Sequence, residues 1–294
     1  MIFRCLFVCS YILFSSIYCF SQANSYQSFP YNSFTQNSIS DSLNSGSAHS
    51  RRPLYDLGNA IKTIGTDAWY LTTSPLRIRK HQIYWLGGLT AATAILYQYD
   101  DRLVTRIREV RHDPVWEQVL DIGDQFEPIG YMGFTNKFYV AGIGIGYITR
   151  WDWLTRVSAE IFEANMLAGL FKNVANLAGR ARPHEGLGPY HFDFRNGTSF
   201  PSGHAVVIFN LATILSHHVG HRSFSIAAYG IAATVGLQRF ASRGHWPSDV
   251  LVGAALGTAV SRTLIKLHEK NNLAVLPYFT PEDNLIGLKW QVCF

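Results

Sequence analysis

His245 and Asp249 stand four residues apart, and Arg239 precedes the histidine by six. Four-residue spacing puts two side chains on one face of a helix. Pro247 suits the first turn of such a helix, with Ser248 and Asp249 beside it. An aspartate that accepts from one imidazole nitrogen leaves the other as a lone-pair nucleophile, and steadies the cation that forms when it attacks. Arg239 ends the apolar run 224–237 and can donate two parallel hydrogen bonds to an oxyanion. The plain alternative is a His–Asp helix cap beside a surface arginine.

Two further stretches carry compatible chemistry. Pro201-Ser202-Gly203-His204 breaks a loop, and the apolar run from Ala205 to Leu215 reads as the helix that follows. Unpaired N–H groups and the positive end of the dipole make a helix start an anion site. Gly203 lets the backbone come close, the Ser202 hydroxyl can donate, and His204 in the first turn faces the same anion. A serine N-cap with a helix-surface histidine is the ordinary reading of the same four residues. In Gly179-Arg180-Ala181-Arg182-Pro183 two arginines follow an apolar helix that Pro183 stops. Arginine also suits a helix C-terminus for dipole reasons. Together the stretches offer a nucleophile, an acid and several anion donors, which is what phosphoryl transfer without a metal requires. No group of carboxylates sits beside these motifs, so neither a catalytic magnesium nor another cofactor is expected.

In order and spacing these residues resemble the signature of the type 2 phosphatidic acid phosphatases, a superfamily shared with vanadium haloperoxidases and bacterial non-specific acid phosphatases. That signature reads K-x(6)-R-P, then P-S-G-H, then S-R-x(5)-H-x(3)-D. Here it matches Arg182-Pro183, Pro201 to His204, and Arg239 with His245 and Asp249, a resemblance covering roughly residues 150–265. Ala175 stands where the family has its lysine, and Gln238 where it has the serine. Lys172 lies one helical turn before Ala175 on the same face, and is either a substitute for the missing lysine or a surface lysine.

The resemblance implies an all-α helical bundle of the phosphatidic acid phosphatase/haloperoxidase type and a two-step reaction. His245 attacks phosphorus to form a phosphohistidine while Asp249 holds its imidazole. His204 protonates the leaving alkoxide and then activates water. Arg182, Arg239, Ser202 and the Gly203 N–H hold the phosphate oxygens, with Lys172 as the possible added donor. The expected activity is metal-independent hydrolysis of a phosphomonoester or pyrophosphate. A phosphorylated lipid is the first substrate class and a small soluble phosphoester the second. Two other classes share the motifs: a vanadium-dependent haloperoxidase, against which Ala175 counts, and a catalytically inactive envelope protein, which Ala175 alone supports.

Helices must carry these loops. Apolar segments fall at about 83–98, 138–149, 157–177, 204–219, 223–238 and 250–265. Before them Leu54, Leu57, Ile61, Ile64, Ala68 and Leu71 repeat at three-four spacing, an amphipathic helix packed on the bundle or lying on a membrane surface. The charged stretch from Asp100 to Glu127 reads as exposed helices, and residues 184–199 as a loop that either covers the site or merely connects.

The organisation expected is a signal peptide over 1–21, a flexible linker over 22–52, a helical phosphatase domain over 53–271 and a short C-terminal β-hairpin over 272–294. Arg4 supplies the positive start of the signal, Cys5 to Phe20 its apolar core, and Ser21 to Ala23 the small or polar residues suited to cleavage. Ile286, Leu288, Trp290, Val292 and Phe294 alternate after a turn signal at Pro281–Asn284. Cleavage would leave Cys293 alone, so no internal disulfide can form. Only 15% of residues are charged against 48% hydrophobic, a balance that leans towards membrane contact or a densely buried bundle. The net charge of +5 forms no basic stripe, which excludes nucleic acid as a partner. An exported, membrane-associated protein of the periplasm or cell envelope follows, with an outward-facing site and an open number of spans.

Overall fold

The computed structural model describes residues 53–77, 80–270, 274–280 and 285–291. The expected signal peptide, the linker, the turn at 281–284 and Cys293 lie outside them. Eight α-helices are described: α1 (Pro53–Thr72), α2 (Lys80–Val110), α3 (Pro114–Phe126), α4 (Met132–Thr149), α5 (Asp152–Asn176), α6 (Gly203–Val219), α7 (Arg222–Ala241) and α8 (Pro247–Lys270). The expected apolar segments fall inside α2, α4, α6, α7 and α8, and the segment at 157–177 runs one residue past the end of α5. Local chemistry sets their ends. Proline at the first helical position opens α3 and α8, where its missing N–H costs nothing. The Ser202 hydroxyl caps α6 by accepting from the Ala205 N–H, and Gly220 closes the same helix in the left-handed conformation.

The core forms where α5, α6 and α8 meet. Val157, Ile161, Leu167 and Phe171 from α5 pack on Val206 and Ile214 from α6 and on Leu256, Val260 and Leu264 from α8. Each such side chain contributes about 1.5–3 kcal/mol when fully buried. Leu71 of α1 joins them, so the amphipathic first helix packs on the bundle. A β-carbon on Gly253 would lie 2.5 Å from the Ser202 carbonyl oxygen, and one on Gly257 2.3 Å from that of Val206. The α8 backbone therefore rests directly against the start of α6. A chain of amides crosses the bundle from α4 to α8. Asn165 donates to Asn136 (2.9 Å), Asn210 to Asn165 (3.0 Å) and Ser261 to Asn210 (2.9 Å). Satisfied buried polar groups of this kind specify register as well as stability.

By length and composition α8 can cross a membrane over Pro247–Glu269, yet most of it is buried in the bundle. The outer faces of α2, α4 and α5 instead expose large apolar groups, among them Trp85, Phe134, Phe138, Ile148, Met166 and Leu170. One expectation is corrected here. Much of Asp100–Glu127 is exposed, but Asp100 is fully buried and Glu127, in the 3-10 turn after α3, is largely so. Each is drawn inward by an arginine. After α8 the backbone pairs as an antiparallel hairpin of β1 (Ala274–Thr280) and β2 (Leu285–Gln291), with Ala274 opposite Gln291.

Candidate active site

The three sequence stretches are laced together by their backbones. Gly179 turns the chain after α5 at φ +72°, and a β-carbon there would lie 1.7 Å from the Asp193 carbonyl oxygen, so no other residue fits. The Ser199 N–H donates to the Arg180 carbonyl (3.0 Å), and Ser202 N–H to that of Asp249 (3.0 Å). Trp246 donates its indole N–H to the Ala181 carbonyl at 2.8 Å. Arg243, in the left-handed region, reaches the Pro183 carbonyl at 2.5 Å. The Arg239 carbonyl accepts from both Gly244 (3.0 Å) and His245 (3.1 Å), and this turn folds the histidine back beside its arginine.

His245 departs from the expected geometry. It lies in the loop two residues before α8 rather than on that helix, so it shares no helical face with Asp249. A residue preceding proline is disfavoured in the helical region, and Trp246 therefore ends the helix pattern at Pro247. The partner of His245 Nδ1 is the Ser199 carbonyl oxygen, at 2.7 Å, and not Asp249. A carbonyl only accepts, so Nδ1 carries the proton and the Nε2 lone pair is free. Burial, then the nearby Arg182 guanidinium, hold the ring well below its ordinary pKa, against the pull of the Ser199 carbonyl. The imidazole is neutral.

Asp249 acts one step further back. Its carboxylate accepts from the Ser199 hydroxyl (2.5 Å), from the Trp246 N–H (3.1 Å) and from Arg180 (2.5 Å). The bond to Trp246 is a third-residue carboxylate returning to the helix cap, which closes the start of α8. Arg180 is only 1% exposed and every donor it uses goes to protein: Asp249, Ser248 (2.8 Å), the Pro189 carbonyl (3.0 Å) and Asp100 of α2 (2.6 Å). Asp100 in turn accepts from the Ser248 backbone (2.9 Å) and hydroxyl (2.5 Å). This fully paired cluster clamps α2, the loop after α5 and α8 behind the histidine.

In front of it stands a group of cations. Arg239 donates to Glu127, and Glu127 Oε1 also lies 3.0 Å from His204 Nε2, at an angle that makes no hydrogen bond. Arg182 donates its Nε to the Thr198 hydroxyl at 3.1 Å. With the Asn176 amide donating to the Phe200 carbonyl (2.7 Å), its oxygen accepts from Lys172 Nζ at 2.6 Å. The Lys172 side chain passes next to Gly203 at the start of α6. Burial followed by Arg182 lowers the Lys172 pKa. Burial, then Arg239, Arg182 and Lys172, lower that of His204 to about 3. The same arginines act on His245, so two imidazoles and three cations occupy one electrostatic neighbourhood. Arg239 Nε and His204 Nε2 are buried without hydrogen-bond partners among the described residues, as suits a site for an oxyanion. The two departures from the family pattern face elsewhere. Ala175 is fully buried against Phe200 and Val252, and Gln238 pins α7 to α3 through Asp124.

Sequence reasoning missed Asp100, Ser199 and Glu127. Ser199 stood only as the last residue of the 184–199 loop, and what it lends His245 is a carbonyl that every residue possesses. Asp100 and Glu127 come from α2 and the end of α3, far from any motif. The one available signal was an acidic residue with apolar neighbours, as at Tyr99-Asp100 and Phe126-Glu127.

Residues 157–273 match the PAP2 superfamily. Over 177 residues, 58% of this chain, the sequence is 29% identical to the lipid A 1-phosphatase of Porphyromonas gingivalis, and it spans about a third (35%) of that protein's length. The crystal structure of a transmembrane PAP2-type phosphatidylglycerolphosphate phosphatase from Bacillus subtilis aligns over 62% of this chain and 95% of that one, at 23% identity and a TM-score of 0.43. The stretch of this chain that is similar to the PAP2 superfamily, residues 157–273, holds every side chain of the cation and histidine cluster except Glu127.

Proposed function

We propose that this chain hydrolyses a phosphomonoester, with a lipid phosphate as the substrate class, through a phosphohistidine on His245 Nε2. The observation that carries the reading is the Nδ1–H of His245 on the Ser199 carbonyl, which leaves Nε2 as a neutral nucleophile beside Arg182, Arg239 and Lys172. In the first step Nε2 attacks phosphorus as the bond to the leaving oxygen breaks. The three cations, with the N–H groups at the start of α6, hold the non-bridging oxygens and stabilise the charge that develops there. A phosphate dianion also offsets the cations that depress His204, so proton uptake by that ring accompanies binding. The imidazolium then protonates the leaving alkoxide. In the second step His204 takes a proton from water, the hydroxide displaces His245, and phosphate leaves.

Asp249 positions the nucleophile indirectly, by fixing Ser199, while Arg180 and Asp100 fix Asp249. With three side-chain cations serving the transferred group, we infer that the reaction needs no metal. The lipid assignment rests on the likeness to a lipid A 1-phosphatase and on the apolar outer faces of α2, α4 and α5, which suit contact with a bilayer. A phosphate-release screen across phosphatidic acid, lipid A and soluble esters tests it, with His245→Ala as control. Release from lipids but not from His245→Ala is expected, and EDTA in a short assay leaves the rate unchanged. Equal release by the variant, or none from any substrate, refutes the assignment.

A further inference from the structure

We propose a second site, for a divalent transition-metal ion such as Zn2+, formed by Asp67 of α1, Glu163 of α5 and His268 of α8. It does not rest on the reading of the catalytic cluster. His268 follows Asp249 by nineteen residues on α8, about 28 Å at 1.5 Å per residue. One ligand atom from each of the three residues lies within 4.8 Å of the others. His268 Nε2 is 3.0 Å from Asp67 Oδ2 and 3.4 Å from Glu163 Oε2. Donors placed about 2.0–2.2 Å from a zinc ion are themselves separated by about 3.0–3.5 Å, so His268 Nε2 already stands at ligand spacing from both carboxylates.

The surroundings match what a metal-binding histidine uses. His268 Nδ1 is 3.0 Å from Glu160 Oε1, and the other oxygen of Glu160 is 2.5 Å from His218 Nε2 of α6. A carboxylate behind the ring fixes the tautomer and turns Nε2 towards the metal. An independent sign comes from Glu163. It is only 6% exposed, and its Oε1 has no hydrogen-bond partner among the described residues. Within the cluster three buried carboxylates face two imidazoles, an imbalance that a divalent ion corrects. The competing occupant is a proton. Despite burial, hydrogen bonds that the ring donates to Asp67, Glu160 and Glu163 raise the His268 pKa to about 11, and a metal must displace that proton. One imidazole with two carboxylates favours zinc or manganese over magnesium or calcium. The ion would tie α1, through Asp67, to α5 and α8, two of the three helices that build the core.

The test uses the purified full-length chain, stripped with EDTA and titrated with ZnCl2. One tight equivalent per chain is expected, and zinc at about a hundredfold its dissociation constant raises Tm by about 5–10 °C. MgCl2 at the same concentration leaves Tm unchanged. Glu163→Gln and Asp67→Asn each lose at least tenfold in zinc affinity. If one variant fails to fold by circular dichroism, the other and the wild-type titration decide. Absence of a tight equivalent or of the Tm rise in the wild type overturns the proposal. So does zinc binding that survives undiminished in a folded variant, or a magnesium effect equal to that of zinc.

Discussion

Lys172→Met is expected to lower kcat/KM for phosphate release by about ten- to a hundredfold while leaving the fold intact. The Lys172 ammonium is held by Asn176 next to the start of α6 and contributes to the field on His204. Its pKa is lowered by burial and then by Arg182, so the charge belongs to the cluster and not to bulk water. A hydrogen bond to a charged group contributes about 1.5–3 kcal/mol. At about 1.4 kcal/mol per decade that is roughly one to two powers of ten. The partner experiment places lysine at the family position. Ala175 is fully buried against Phe200 and Val252, so Ala175→Lys overpacks the core, at about 1–3 kcal/mol, and adds the cost of desolvating a charge. It lowers Tm by several degrees and rescues nothing in the Lys172→Met background. The assay is initial-rate hydrolysis of p-nitrophenyl phosphate and phosphatidic acid, with thermal unfolding in parallel. Full activity of Lys172→Met, or rescue by Ala175→Lys, refutes the reasoning, because either result puts the working cation somewhere other than Lys172.

Asp249→Ala leaves Arg180 buried without one of its two carboxylates, so a loss of about 3–5 kcal/mol in unfolding free energy accompanies inactivity. Purely catalytic loss at unchanged stability would mean that Asp249 serves the histidine directly. Ser199→Ala keeps the carbonyl that orients His245 and removes only the hydroxyl on Asp249, so it lowers kcat far less than His245→Ala does, as single-turnover rates can check. Glu127→Ala frees Arg239 from its anchor, and roughly a tenfold loss in kcat/KM is expected from one charge-assisted hydrogen bond. For pH, His204 binds protons below about 6.5 when unfolded and only near about 3 when folded. The unfolded state therefore takes up more protons as pH falls through that window. Stability contributed by the neutral ring is present above about 6.5 and is lost towards 3. Denaturant titrations of wild type and His204→Gln check this, and the variant should lose less stability on acidification.

The chemical pieces of the candidate site were already legible in the chain as spaced motifs, because a helix start, an arginine and a histidine keep their chemistry wherever they stand. Helix positions were legible too, since a long apolar run has few other ways to satisfy its backbone, although α2 hid its charged half. The pairing of those pieces was not. Pro247 marked the start of the helix, but nothing in the spacing of His245 and Asp249 shows that the histidine stays outside it, or that Ser199, forty-six residues before the histidine, lends it a carbonyl. Composition likewise marked Asp100 and Glu127 as surface charge, while an arginine remote in sequence draws each inward.

Residue types and local order, then, determined which atoms can attack, donate or carry charge, for those are properties of single side chains and of the turns around them. Which atoms meet was decided only by packing. The close approach of α8 to α6 at Gly253 and Gly257 and the Asp100–Arg180–Asp249 clamp set those distances, and both join residues remote in sequence.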